Sequence, residues 1–448
     1  MRNGRREQFV PRCVYFSRDV ITGLNAQHIR PVCLPVSVPY LVEHSKVRTC
    51  TLKRKCGIEW QNRATEEFCP RLVITQLCGK PRACLTQMQL PVIALLGRKD
   101  EPTDAVEEYC RYLSTALQAQ NVQLEICRVR WEIVGWRDAL RGLKLQAKLW
   151  RGTWVLVQYT ALAWSSRGFP QKVIRTVKTL KSAGARIAIL YHDVEPYPGS
   201  RLVDRVRRVI QLHTMRQSLF LSDLAIFTVS LDKISWLSSS VPHAHFIPVG
   251  PNLPIPERSS TVSPTQDLPT IGVFSITGGA AGDSETQIIL SSVCHAAERL
   301  GKLRLLVFGR HAELREARLR EGFRGLPVEL SVEGILEPAE VVQKLSACDL
   351  LLFIRGPISS RRGSAIAGIA CGLPVIAYAG SETAVPITDA GVVLVSPDQP
   401  DELNAALVRV LSDTNYRMDL AARSRAAYKT HFAWPSIAGR FCALLKTH

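Results

Sequence analysis

Two α/β domains in series, each a parallel sheet wrapped by helices and each turning its ligand edge toward the other, are the fold this sequence predicts. Three observations predict it. From Met88 onward, short apolar runs alternate with stretches of helical periodicity, the pattern of strand–helix–strand units. The pattern breaks once, at a Pro-, Ser- and Thr-rich stretch over residues 253–269, and then restarts. The loops after the apolar runs carry glycines, serines and charged pairs, the chemistry expected at the carboxyl ends of parallel strands.

The first 87 residues are different in kind. They hold 15 Lys and Arg against 6 Asp and Glu and seven of the chain's 13 cysteines, and no strand or helix period persists in them. Their cysteine spacings lack the CxxC pairs of zinc ribbons, so residues 1–87 read as a basic, poorly ordered extension and not as a metal domain. No apolar h-region follows the basic start, so a secretory signal is not expected. A basic arm would suit nucleic acid, but aromatic residues are too few for a stacking platform, and nucleic acid is not the expected partner.

The first domain spans residues 88–252. Leu90–Leu96 is a buried-strand run, Gly97–Asp104 a polar glycine-led loop, Ala105–Gln118 a helix and Val122–Val129 a strand. Strands at Thr153–Thr160, Arg186–Tyr191, Leu224–Val229 and Ala244–Val249 follow. Between them lie a basic helix around Pro170–Ala183 and a second, carrying Arg201, Arg205, Arg207 and Arg208, after the loop His192-Asp193. After the linker, the second domain spans residues 270–430. Thr270–Ser275 is a strand, Ile276–Gly282 a glycine loop and Ser284–Leu300 a helix. Further strands lie at Arg304–Gly309, Val328–Gly334, Asp349–Ile354, Pro374–Ala377 and Gly391–Val395. Helices are expected over Arg315–Glu321, Glu337–Ala347 and Gln399–Leu411, and a terminal helical run over Asn415–Lys446.

The stretch Arg355–Gly380 organises the second domain. A turn at Gly356-Pro357 leads to Ser359-Ser360, which predicts an N-cap, with Arg361 and Arg362 in the first turn of a small-residue helix ending at Gly372. Positive charge there opposes the helix dipole, and an anion held by the arginines and the helix N-terminus reconciles the two. Two solvated surface arginines are the competing reading.

The bulk numbers admit anionic partners. The 448 residues carry a formal charge of +18, and 46% apolar content is ordinary for globular protein. No apolar run reaches the roughly 18 residues of a membrane span. Six scattered cysteines beyond residue 87 suit reduced thiols in a cytoplasmic enzyme.

The order of these pieces resembles a GT-B glycosyltransferase of family 4, the group 1 type, with two Rossmann-like domains facing a cleft. The resemblance is carried by Glu333–Val342, Ala347–Leu350, Ala370–Ala377, Ala390–Pro397 and Ile247–Asn252. Phe432–Phe441 is similar to the family's terminal helix, which crosses back onto the first domain, here residues 431–448. The resemblance implies transfer of a sugar from a nucleoside diphosphate sugar to a polysaccharide, lipid-linked or other carbohydrate acceptor. It implies retained configuration, no required metal and no cofactor beyond the donor. A cytoplasmic protein at the inner face of a membrane suits a lipid-linked acceptor, with peripheral membrane contact through the basic helices of the first domain.

Two departures stand out. The family's paired donor-site glutamates fall here on Ser359 and Ala367, and the loop Thr277-Gly278-Gly279 stands where the family places an Arg and a Lys. Arg361 and Arg362, with Ser359 and Ser360, are expected to replace the lost charge. His192 is similar to the family histidine at the donor sugar, with Asp193 to orient it; a histidine satisfying strand-end backbone is the competing reading. Gly278 and Gly279, Glu382, Gly97, Thr103 and Asp104 complete the candidate set, Asp104 also reading as an N-cap, with Arg310 a further candidate. The alternative is a GT-B-shaped binding protein that lost chemistry along with those glutamates.

Overall fold

The computed structural model describes residues 90–101, 103–238, 241–256 and 268–448. The expectations for residues 1–87 lie outside the described residues, as does most of the linker. Two six-stranded sheets form, parallel throughout.

In the first lobe the chain runs β1 (Leu90–Leu96), α1 (Ala105–Gln118), β2 (Val122–Arg128), α2 (Trp131–Ala147), β3 (Trp154–Tyr159), α3 (Lys172–Ser182), β4 (Arg186–Tyr191), α4 (Leu202–Leu221), β5 (Leu224–Phe227) and β6 (Ala244–Phe246). The sheet order is β2-β1-β3-β4-β5-β6, so the order reverses between β1 and β3. Alternate strand residues feed opposite faces. Val92, Ala94, Leu156 and Leu190 pack toward α1, while Ile93, Val155, Val157 and Ile189 pack beneath α2, α3 and α4. Both faces are covered, which is why these strands read as unbroken apolar runs.

The second lobe runs β7 (Thr270–Phe274), α5 (Gly279–Leu300), β8 (Leu303–Phe308), α6 (Glu316–Gly322), β9 (Val328–Glu333), α7 (Pro338–Ser346), β10 (Leu350–Phe353), α8 (Gly363–Ala370), β11 (Val375–Tyr378), β12 (Val392–Val395), α9 (Pro400–Ser412), α10 (Thr414–Ala427) and α11 (Trp434–Thr447). Its sheet order, β12-β11-β10-β7-β8-β9, reverses between β7 and β10. In open α/β sheets such reversals leave a crevice at the strands' carboxyl ends.

The helix α11 packs on α1 of the first lobe. Trp434 stacks on Tyr112 and donates to the Pro251 carbonyl at 2.8 Å, and the Trp154 indole donates to the Leu445 carbonyl at 3.0 Å. One apolar core, with Trp434, Ile437 and Phe441 in it, therefore joins the lobes.

Four elements depart from expectation. The helix α8 begins at Gly363, three residues past Ser360, with Arg362 as N-cap at φ −89°, ψ 84° and no side-chain cap. The preceding loop is held by other bonds. Ile358 N–H donates to the Tyr378 carbonyl, Arg362 N–H to the Ser359 carbonyl and the Ser360 hydroxyl to the Thr228 carbonyl. Ser359 and Ser360 thus do not cap the helix. The helix α5 starts at Gly279, not Ser284, and absorbs most of the glycine loop. The terminal run divides at a π turn, Tyr428–Phe432, followed by extended Ala433. The helix α2 was not anticipated, because Gly135 breaks its regularity at φ 76° and several of its apolar residues face outward.

Candidate functional site

The carboxyl ends of the two sheets face each other. Three contacts close the approach: Arg310 Nη2, after β8, donates to the Thr103 carbonyl at 2.7 Å and also to its hydroxyl; Ser360 Oγ donates to Thr228 O at 2.7 Å; and Val249 N–H donates to Ser360 O at 3.0 Å.

On the first-lobe side a cavity of about 210 Å³ opens at the β1/β3 reversal. Its lining includes Gly97, Asp104, Gln158, Leu162, Asp193 and Tyr197. Gly97 is there for close packing, since a Cβ would lie 2.2 Å from the Ala163 carbonyl oxygen. Asp104 is the N-cap of α1, accepting from Val106 and Glu107 N–H at 3.1 Å, and Arg128 pairs with it at 2.9 Å. Its bonds are spent on the scaffold. Thr103 serves as the seat of Arg310.

His192 and Asp193 follow β4. His192 Nε2 lies 2.9 Å from Gln158 Oε1, while Gln158 Nε2 donates to Leu156 O at 3.4 Å. That amide orientation makes Nε2 the protonated ring nitrogen and leaves Nδ1 as an acceptor. Burial, and then the nearby Arg361, hold the imidazole down at about 4, so it is neutral near pH 7. Asp193 Oδ2 accepts from Ala161 N–H and from Tyr197 Oη, both at 2.7 Å. Its other oxygen makes no hydrogen bond among the described residues. Burial raises the Asp193 carboxyl, while those two donors and Arg361 oppose the rise.

The second-lobe side is cationic. Arg361 forms a two-pronged pair with Glu382, Nε to Oε2 at 2.7 Å and Nη2 to Oε1 at 2.8 Å. Burial alone would raise Glu382; Arg361, helped by Ser359 and Arg362, offsets it, and the carboxyl lies below its usual range. The Ser359 hydroxyl makes no hydrogen bond of ordinary geometry, but lies near enough to Glu382 to help hold it ionised. Arg355, after β10, and Arg362 are both half-buried, and the buried Nε of each has no partner among the described residues. Burial holds both below the usual arginine range, opposed at Arg355 by Glu285 and at Arg362 by Glu382. Neighbouring Arg310 lowers Arg355 further, and Arg361 and Arg355 lower Arg362. Four guanidinium groups thus gather at the β7/β10 reversal.

Gly278 and Gly279 are the N-cap and first residue of α5. No side chain caps that helix, and Thr277 N–H is already taken by Glu285 at 2.8 Å. Close approach dictates a glycine at Gly282, whose Cβ would meet the Thr277 carbonyl oxygen at 1.9 Å.

The expected residues therefore separate. His192, Asp193, Arg361, Arg362 and Glu382 converge between the lobes. Ser360 is committed to Thr228 and Asp104 to its helix, which removes Ser360 from phosphate binding and gives Asp104 a structural post. Arg355, Tyr197 and Gln158 were missed. Arg355 stood at a strand's carboxyl end, where position alone marks a ligand residue; Tyr197 and Gln158 had no local signal.

Among the described residues no group of three or more His, Cys, Asp and Glu is placed to hold a metal ion. No described helix is long and apolar enough to cross a membrane.

The arrangement is the GT-B fold. The chain is similar to HepE of Anabaena, solved with UDP and glucose, at 14% identity and TM-score 0.54 over 80% of this chain and 100% of that one. It is similar to sucrose-phosphate synthase from Thermosynechococcus elongatus, at 17% identity and TM-score 0.57 over 80% and 98%. A glycosyltransferase from Rickettsia africae gives 13%, 0.57, 80% and 98%. No protein-family model matches the chain, and no curated protein matches it by sequence.

Proposed function

We propose that the protein is a glycosyltransferase that takes a sugar from a nucleoside diphosphate donor, held on the second lobe, and passes it to a carbohydrate or lipid-linked acceptor seated in the first-lobe cavity. One observation carries this: half-buried arginines whose buried Nε groups lack partners at one sheet edge, facing a half-free carboxylate beside a cavity at the other. A buried N–H without an acceptor costs about 1–3 kcal/mol, which a diphosphate oxygen would recover. As the glycosidic bond breaks, charge grows on the leaving diphosphate, and fixed guanidinium groups stabilise it without reorganising. Arg355, Arg362 and Arg310 supply the positive charge that a divalent metal would otherwise bring, which supports metal-independent transfer. Glu382, held ionised by Arg361, stands in for the absent donor-site glutamates near the sugar. Neutral His192 and Asp193 orient the acceptor hydroxyl. Retained configuration follows from the resemblance to family 4.

The resemblance to proteins solved with UDP makes uridine diphosphate the first donor to try. Thermal unfolding with UDP, GDP and their sugars should show a rise in Tm with one nucleotide, since a ligand that binds only the folded state stabilises it by mass action. Release of that nucleotide from its sugar should follow on adding acceptor, with the product anomer read by NMR. No rise with any nucleotide would sink the proposal. A rise without turnover would assign a GT-B binding protein, the alternative that Ser359 and Ala367 keep open.

A further inference from the structure

The helix α4 is built inside out. Of its four buried residues three are polar, Gln211, Thr214 and Ser218, and they bond to Gly168 O, Ile210 O and Tyr191 Oη respectively. Its outer face carries apolar side chains interrupted by exposed His213 and Arg216: Leu202, Val206, Val209 and Phe220 fall on it and are exposed by 78%, 49%, 67% and 81%. Folding gains nothing from those side chains where they stand. They are also not alone. Ten of the fourteen large apolar side chains exposed among the described residues belong to α2, the turn after it, the Leu162 loop and α4. Helices α2, α3 and α4 lie side by side on one face of the first sheet. The middle one, α3, carries Lys172, Arg175, Lys178 and Lys181 and no acid. On α4, Arg205 and Arg208 are exposed beside the outward apolar side chains and pair with no acid among the described residues.

We propose that this α2–α3–α4 face docks on an anionic lipid bilayer. Apolar side chains at helical spacing among cations are what a surface-lying helix offers, the aliphatic groups entering the acyl boundary and the cations meeting charged headgroups. A second copy of the chain would bring the same cations against these and be repelled, and aliphatic side chains contribute nothing to a nucleic-acid phosphate backbone. Leu162, 41% exposed, lines the cavity of the same lobe. Docking does not depend on glycosyl transfer, and its test needs no donor.

The full chain is floated with vesicles of phosphatidylcholine alone and of phosphatidylcholine with phosphatidylglycerol. The wild type should rise with the anionic vesicles and not with the neutral ones. Arg205→Gln with Arg208→Gln, and separately Val206→Ser, Val209→Ser and Phe220→Ser together, should each lower partitioning roughly tenfold or more. All five positions are exposed, and an unchanged Tm verifies that each variant is folded. Absence of wild-type binding to the anionic vesicles, or equal binding by folded variants of both kinds, overturns the proposal. Self-association that the apolar triple variant abolishes, with no vesicle binding, overturns it in favour of a second copy. Duplex binding lost with the arginines, again without vesicle binding, overturns it in favour of nucleic acid.

Discussion

The two sheet edges that face each other are built on opposite plans. The first-lobe edge has its charged groups committed, although the buried Tyr109 and Tyr159 hydroxyls keep no partner among the described residues: Asp104 caps α1 and pairs with Arg128, Gln158 holds His192, and Asp193 has two donors on one oxygen. What it offers is a shaped cavity with one carboxylate oxygen to spare. The second-lobe edge is not satisfied. Arg355 and Arg362 keep buried Nε groups without partners, and the nearby guanidiniums push against one another. One edge is finished as shape and the other is left short of negative charge. The contrast teaches where each substrate class belongs, because a neutral hydroxyl suits a preformed pocket and a diphosphate suits unbalanced cations.

The contrast can be broken at either edge. The largest expected effect is on turnover. Asp193→Asn keeps a carbonyl oxygen for Ala161 N–H and Tyr197 Oη but removes the charge, and should lower kcat about a hundredfold or more while leaving nucleotide affinity within about twofold. A matched loss of affinity would move Asp193 to the donor side. Next comes the contact between the lobes. Ser360→Ala strands the Thr228 carbonyl and should cost about 1–2 kcal/mol in a denaturant titration; an unchanged midpoint would show the bond idle.

An effect of similar size, visible only as a change with pH, separates His192 from its cationic neighbour. Its folded pKa, about 4, lies below that of a free imidazole, so protonation opposes the folded state. The stability concerned is fully present above about pH 6.5 and is lost as pH falls toward about 4. His192→Gln should therefore lose about 1–2 kcal/mol less than the wild type between about pH 7 and about pH 5. Asp193 and Glu382 titrate alike in both proteins, so parallel losses would show the imidazole to be unperturbed.

The fold was legible because it is written in local patterns. Buried strands such as Val92–Leu96 and Leu350–Phe353 declare themselves as apolar runs, and paired parallel sheets follow from their alternation with helices. The site was legible only in part. Strand-end position, with the family resemblance, pointed to His192 and Asp193, and a helix start pointed to Arg361; the strand-end rule applied one residue past Ile354 would have found Arg355. What failed was capping chemistry. Ser359-Ser360 has the sequence of an N-cap, yet Ser360 answers to Thr228, 132 residues away, and the helix waits until Gly363. Such a bond leaves no trace in its neighbours along the chain. Helix α2 escaped for a related reason: its outward Ile133, Val134 and Leu145 blur the periodicity that marks a buried face.

Calorimetric titration of Arg355→Ala with Arg362→Ala against the wild type, using whichever of UDP or GDP stabilises the wild type, tests the central claim most directly. If these guanidiniums await a diphosphate, the double variant should remain folded and bind that nucleotide about a hundredfold more weakly or worse. Equal affinity in the folded double variant would contradict the account.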